Sequence, residues 1–207
     1  MKEIVIIGAG DLGREVVWLI EDINRLNPTY VILGFLDDDA AKLGGEFYGY
    51  RVLGGVDMLE QLSEKTPLSA VLAVQTGSVR KKIVEAHPTF RRWESIVHPS
   101  AVVAASSAIG PGSILFPQVT VSVDAKLGAF GLYRIRAAVC NDCVIGDYVS
   151  LMNGVTVLEY AQLGDACLLA TNTLVQPHEK LAPGSHFTAH GAETAAASEA
   201  SGCEGEE

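Results

Sequence analysis

Val97, Val103, Ile109, Leu115, Val121, Leu127, Tyr133, Val139, Ile145, Leu151, Val157, Leu163, Leu169, Val175, Leu181 and Phe187 stand six residues apart, and all sixteen are apolar. In a chain that is 48% apolar, such a run arises by chance roughly once in a hundred thousand. The residues two places earlier are mostly small: Ser95, Ala101, Ser107, Ser113, Ala125, Gly131, Ala137, Cys143, Ala161, Cys167, Thr173 and Ser185. A period of six belongs to neither a helix nor a simple strand; it is the hexapeptide signature of a parallel β-helix. The large residues fill a three-sided prism and the small ones let its walls close in. A second period of 18, one full coil, links Ile109-Gly110, Leu127-Gly128, Ile145-Gly146 and Leu163-Gly164. The expectation is that these glycines sit at corners with positive φ.

Outside this stretch the chain bounds its own function classes. It has 207 residues, 19% of them charged, and a net charge of −10. The sign is wrong for nucleic acid, and no basic patch is long enough for it. No apolar run reaches transmembrane length, and Met1-Lys2-Glu3-Ile4-Val5 reads as the start of a strand rather than a signal peptide. The expected location is cytoplasmic. Cys143 and Cys167 occupy small inward positions of the repeat and read as buried hydrophobes. No Cys/His cluster has zinc-ligand spacing, so no metal is expected.

Residues 1–93 read as a Rossmann-like α/β unit, 94–190 as the β-helix and 191–207 as a disordered acidic tail. Glu3 to Ile7 is an apolar strand that enters Gly8-Ala9-Gly10-Asp11-Leu12-Gly13. A helix follows to about Leu26, with Val16, Val17, Leu19, Ile20 and Ile23 on its apolar face, and Asn27-Pro28 ends it. Tyr30 to Leu36 is a second strand, closed by Asp37-Asp38-Asp39, and Ser69 to Gln75 a third. A Gly-x-Gly-x-x-Gly run between strand and helix, with carboxylates after the next strand, suits a nucleotide. Backbone N–H groups at Gly8, Gly10 and Gly13 would face a phosphate, and Asp37 or Asp38 a ribose or base. A single half-site argues against NAD. From residues Ala189 to Glu207 the chain is rich in Ala, Ser, Gly and Glu and has no Lys or Arg, a composition that buries no core.

Five ordered runs make a resemblance specific: Ile6-Ile7-Gly8-Ala9-Gly10, Gly13-Arg14-Glu15-Val16, Gly34-Phe35-Leu36-Asp37-Asp38-Asp39, Val97-His98-Pro99-Ser100-Ala101 and Asp142-Cys143-Val144-Ile145-Gly146-Asp147. The chain resembles the left-handed β-helix sugar acetyltransferases of the sialic acid O-acetyltransferase and bacillosamine N-acetyltransferase type, over about residues 3–188. The resemblance implies a homotrimer, a nucleotide-linked sugar (a UDP-sugar in that family) held at Gly8, Gly10, Gly13, Asp37 and Asp38, and acetyl-CoA between neighbouring β-helices.

The same resemblance locates the chemistry and shows where this chain departs. Acyl transfer needs a base for the acceptor's proton and donors for the developing oxyanion. The family's base is a His at the position of Asn141, and an amide takes up no proton at neutral pH. A second family His falls at Ser150 and an oxyanion Gly at Glu159, while the run before the base is Arg134-Ile135-Arg136. Three readings follow. One is an acyl-CoA-dependent sugar-nucleotide N- or O-acyltransferase with Asp142 as a substitute base, and Asp147 or Glu159 as others. Another is a decayed member that binds a sugar nucleotide without acetyl transfer. In the third, a remodelled intersubunit cleft holds an anionic ligand through Arg134 and Arg136. His98 is expected to order the turn at Pro99; His178 and His186 lie in the last coil.

Overall fold

A computed structural model of the chain describes residues 1–188 and the backbone of 191–193. Each of the sixteen register residues falls in a short strand, from Ile96–Val97 to His186–Thr188. Every strand pairs in parallel with the strand 18 residues away, as Leu132-Tyr133 does with Ile114-Leu115 and Ser150-Leu151. Three stacked walls result, and together they form a left-handed β-helix. From Leu115 to Val175 the register residues are essentially inaccessible, with Tyr133 and Leu151 at 0% exposure. Only Val97, Val103, Ile109, Leu181 and Phe187 at the two ends keep partial access.

The glycines of the 18-residue period correct an expectation. Gly110, Gly128, Gly146 and Gly164 are not among the glycines with positive φ. They are required by stacking: a Cβ on Gly110 would stand 2.4 Å from the Ala129 nitrogen, and one on Gly164 2.5 Å from the Pro183 nitrogen. The left-handed positions lie elsewhere, on every sixth residue from Gly112 to Gly184. Ten of these thirteen are not glycine: Gln118, Asp124, Phe130, Arg136, Asp142, Tyr148, Tyr160, Ala166, Asn172 and His178, with φ between 56° and 62°. The corner turn is imposed by the coil and tolerated by whatever residue occupies it.

The N-terminal unit runs β1 (Lys2–Ile7), α1 (Asp11–Leu26), β2 (Tyr30–Leu36), β3 (Glu46–Phe47), β4 (Tyr50–Gly54), a 3-10 turn Val56–Met58, α2 (Leu59–Lys65), β5 (Ser69–Leu72) and α3 (Gly77–Ala86). Its sheet order is β3-β4-β2-β1-β5, parallel except for the β3–β4 hairpin. The sequence between β2 and β5 thus adds a short hairpin and α2, and α3 follows β5 from Gly77. No helix among the described residues is long and apolar enough to cross a membrane.

The two units meet on one wall of the prism. The outward residues Ile96, Ile114, Leu132 and Ser150 of that wall are buried, at 2% exposure or less. Arg80 of α3 is 2% exposed and reaches across the junction. Its guanidinium donates to the carbonyls of Phe130, Val74, Gln75, Tyr148 and Val149 and to Ser150 Oγ. Burial pushes its pKa down to about 10, so it stays charged at neutral pH. The expected tail lies outside the described residues, except that Gly191–Glu193 pair antiparallel with the last coil.

Candidate functional site

The glycine loop divides its three glycines between two tasks. Gly8 has φ +104°, and a Cβ there would lie 2.6 Å from the Ala73 carbonyl oxygen. A Cβ on Gly13 would stand 2.2 Å from the Gly8 carbonyl oxygen. Gly8 therefore lets the end of β1 lie against the chain leaving β5, and Gly13 lets α1 close on the loop. Gly10 has open space around it and caps α1 with no side-chain hydrogen bond. The first N–H groups of α1 are thus left free for an anion.

The acidic run behind the loop is likewise divided. Asp37 Oδ2 accepts the Ala9 N–H (2.7 Å) and the Lys42 ammonium (3.0 Å), and Oδ1 accepts the Asp39 N–H (2.9 Å). Burial alone would push its carboxyl up, but the N–H donors of Asp39 and Ala9 and the Lys42 ammonium outweigh it and hold the group below the usual carboxylate range. Asp37, expected at the ligand, instead braces the loop from behind. Asp38 is exposed; its Oδ1 accepts the Val56 N–H at 2.7 Å, and Oδ2 points to no partner among the described residues.

Two residues expected in an intersubunit cleft face the N-terminal unit instead. Arg134 pairs bidentately with Glu15 of α1 at 2.6 and 2.9 Å, and its guanidinium lies 4.5 Å from the Phe116 ring centroid. A guanidinium already held by a carboxylate offers no clamp to a second anion. Ser150 is 1% exposed, donating to the Gln75 carbonyl while accepting from Arg80. It cannot stand near a solvent-reached thioester. Arg136 is exposed at the corner, and its guanidinium donates to Gln118 Oε1 (3.0 Å), its one side-chain partner among the described residues.

Asn141 and Asp142 form the corner opposite the junction wall. Asn141 Nδ2 donates to Asp142 Oδ2 at 2.9 Å, and its amide oxygen, an acceptor, has no hydrogen-bond partner among the described residues. The Asn141 carbonyl accepts the Tyr160 N–H of the next coil. Asp142 is exposed and left-handed at φ 58°. Glu159 lies half-buried on the same side; burial first, then its charge, pushes the Cys140 thiol up. Asp147 is structural, because its Oδ1 accepts the Ala129 N–H at 2.7 Å. His98 orders its turn as expected, reaching Ser100 Oγ and Asp22. His186 lines a cavity of about 290 Å³ with Gln75, Met152 and Phe187. Sequence reasoning missed Glu15 and Arg80 as the residues that join the units. Glu15 stood in a quoted motif; nothing in the sequence marks Arg80.

Comparison with known proteins follows this division. Residues 3–87 match the family described as PglD N-terminal domain. Over 178 residues, the chain is 28% identical to the GDP-perosamine N-acetyltransferase of Escherichia coli O157:H7, covering 83% of this chain and 76% of that protein. The chain is thus similar to a sugar N-acetyltransferase across both of its units. The fold recurs in solved structures at low identity. The acetyltransferase domain of PglB from Neisseria gonorrhoeae FA1090, solved in complex with acetyl coenzyme A, shares it at TM-score 0.73 and 22% identity, covering 93% of this chain and 98% of that chain. A His-to-Asn variant of perosamine N-acetyltransferase from Caulobacter crescentus, in complex with CoA and GDP-perosamine, shares it at TM-score 0.72 and 20% identity, covering 93% and 96%. In this chain the two candidate centres lie apart. The glycine loop opens on the N-terminal unit, while Asn141 stands at the far vertex of the prism.

Proposed function

We propose that this protein transfers an acyl group from acyl-CoA to the amine of a sugar linked to a nucleoside diphosphate. The observation that carries this reading is the likeness to a GDP-perosamine N-acetyltransferase, which runs through both units and not through the β-helix alone. At one end, the diphosphate meets the free N–H groups of α1 beside Gly10, framed by Gly8 and Gly13, and Asp38 Oδ2 takes a ribose hydroxyl. At the other, Asn141 Oδ1 accepts one N–H of the acceptor amine and aims its lone pair at the thioester carbon. Asp142, with one oxygen held by Asn141, keeps the other to take the amine's proton. The C–N bond forms, the C–S bond breaks, and the CoA thiolate leaves and picks up a proton.

Both ends meet only if a second copy is present. The corner at Asn141 joins two walls that the N-terminal unit does not cover. One carries Lys126 and Lys180 outward; the other presents Val102, Thr120, Ala138, Thr156 and Leu174, without a charge. Val102 is 63% and Leu174 46% exposed. We assign this uncharged wall to a cyclic homotrimer, in which the glycine loop of one copy approaches the Asn141 corner of the next. The half-buried Cys140 and buried Cys143 and Cys167 are free thiols, which suits the reducing cytoplasm.

The test is thiol release from acetyl-CoA with UDP- and GDP-linked amino sugars, beside calorimetric titration of each ligand. Release that depends on the sugar nucleotide is expected. Sugar-nucleotide binding without acetyl-CoA binding or thiol release would overturn the transferase in favour of a binding protein. Turnover that survives Asp142→Asn would remove Asp142 as the proton acceptor.

A further inference from the structure

Where the end of α3 meets the prism, the junction leaves a hollow that neither the glycine loop nor the Asn141 corner uses. Its volume is about 500 Å³, within the range of small-molecule sites. Three stretches of chain wall it: the end of α3, the connection from Pro88 to Trp93, and a prism corner at Pro111 and Phe130. The hollow lies well away from the glycine loop. Gly8 packs on Ala73, ahead of α3, whereas His87 follows the last residue of that helix. The ten residues of α3 hold the two places about 15 Å apart.

One side of the hollow is aromatic and rigid. Trp93 stands edge-on to Phe90 at 4.9 Å and 74°, and to Phe130 at 5.7 Å and 82°. Phe130 in turn stacks on Tyr148, with centroids 5.2 Å apart and planes within 5°. Phe90 and Phe130 are buried, while Trp93 keeps partial access. A further flat ring entering the hollow can meet Trp93 in the same geometry that its two neighbours already use.

The other side is polar and cationic. The His87 side chain is 11% exposed, and its Nδ1 lies 2.8 and 2.7 Å from the two Glu60 oxygens. An ionised carboxylate only accepts, so Nδ1 carries a hydrogen, and Nε2 has no partner among the described residues. That nitrogen can accept from a protonated phosphate oxygen or, once protonated, donate to an ionised one. Arg91 is exposed, and one guanidinium nitrogen donates to the Pro88 carbonyl, which holds the group at the rim. The acids on α2 and α3 nearby are engaged, Glu60 with His87 and Glu85 with Lys81. Arg92 shares a separate depression with Glu64, so Arg91 is the cation that serves the hollow. A guanidinium meets a phosphate by parallel N–H bonds.

We propose that this hollow is a second ligand site, which binds a small aromatic phosphate with its ring against Trp93 and its phosphate between Arg91 and His87. The site stands apart from acyl transfer and does not depend on that reading.

The chain has two tryptophans, Trp18 and Trp93, so Trp18→Phe leaves Trp93 as the sole tryptophan reporter. Phenyl phosphate, the probe, should shift its emission saturably, whereas inorganic phosphate and benzyl alcohol, each with half of the chemistry, should not. Arg91→Gln should weaken phenyl phosphate about tenfold, as loss of a charged hydrogen-bond donor does. Lys82→Gln, which removes an exposed cation of α3 outside the hollow, should leave the titration where it was. The Trp93 indole N–H resonance, followed in the protein with Trp18 intact, gives the same reading if Trp18→Phe folds poorly. The site is overturned if phenyl phosphate gives no saturable change, if inorganic phosphate matches it, or if Arg91→Gln binds as the parent does. Equal losses in Arg91→Gln and Lys82→Gln would overturn it too, by showing attraction to the surface at large.

Discussion

In the proposed reaction an amide stands where a proton must be taken up, and its neighbour sets what it can do. Asn141 spends its NH2 group on Asp142, so in the proposed reaction its part is to orient the acceptor without drawing off a proton. Restoring an imidazole by Asn141→His should raise kcat by about 10²-fold, at the lower end of what a positioned general base supplies, and steady-state thiol release measures it. A drop in kcat would show that the Asn141–Asp142 pair works as a unit. Asp37 makes a different prediction. Its folded pKa lies below the ordinary 3.8 because three donors hold its charged form. The stabilisation is complete above 3.8 and is lost as pH falls through the lower folded value. Asp37→Asn should therefore cost about 1–2 kcal/mol at neutral pH, and the gap between variant and parent in urea unfolding should close in strong acid.

Between the two units, stability depends on a charged group whose partners are mostly backbone. Arg80→Met keeps an apolar stem but strips the donors from five carbonyls and Ser150. The cost should be about 3–5 kcal/mol in denaturant unfolding. Arg80→Lys, with three donors on one atom, should recover only part of it. The same contacts show what the sequence can carry. Each coil turns an equivalent residue into the prism, so Leu115 through Val175 advertise themselves by period. The strand and glycine loop of the N-terminal unit are legible for a similar reason, since Gly8 and Gly13 answer to local packing. Arg80 is silent because a carbonyl has no residue identity. Arg134 and Glu15, 119 residues apart, form a pair that no local pattern predicts, so the expected anion clamp was read from half of an ion pair. The corners are silent too: Phe130, Tyr148 and Ala166 take a left-handed turn that glycine would mark. Ala166→Gly should thus stabilise the chain modestly, by about 0.5–1 kcal/mol, because the strain removed exceeds the extra entropy of the unfolded glycine; thermal unfolding checks it.

At the scale of the whole molecule, the placement of the two candidate centres decides what the functional unit must be. The N-terminal unit covers one wall and anchors to its edge through Arg134 and Glu15. Asn141 stands at the vertex opposite that wall, so no single copy can bring its own glycine loop to its own corner by a small movement. The uncharged wall beside that vertex supplies the remedy if copies associate through it. Ala138 lies at its centre, paired with Thr120 and Thr156 on either side. Ala138→Arg would place a cation in the proposed interface, where like charges from three copies would meet around the axis, while the buried Val139 beside it keeps its place in the prism. The variant should run as a folded monomer in sedimentation, with the circular dichroism of the parent. It should also lose sugar-nucleotide-dependent thiol release. A monomeric variant that keeps full turnover would place both substrates on one copy, and an Ala138→Arg protein that still sediments as a trimer would move the interface to another wall.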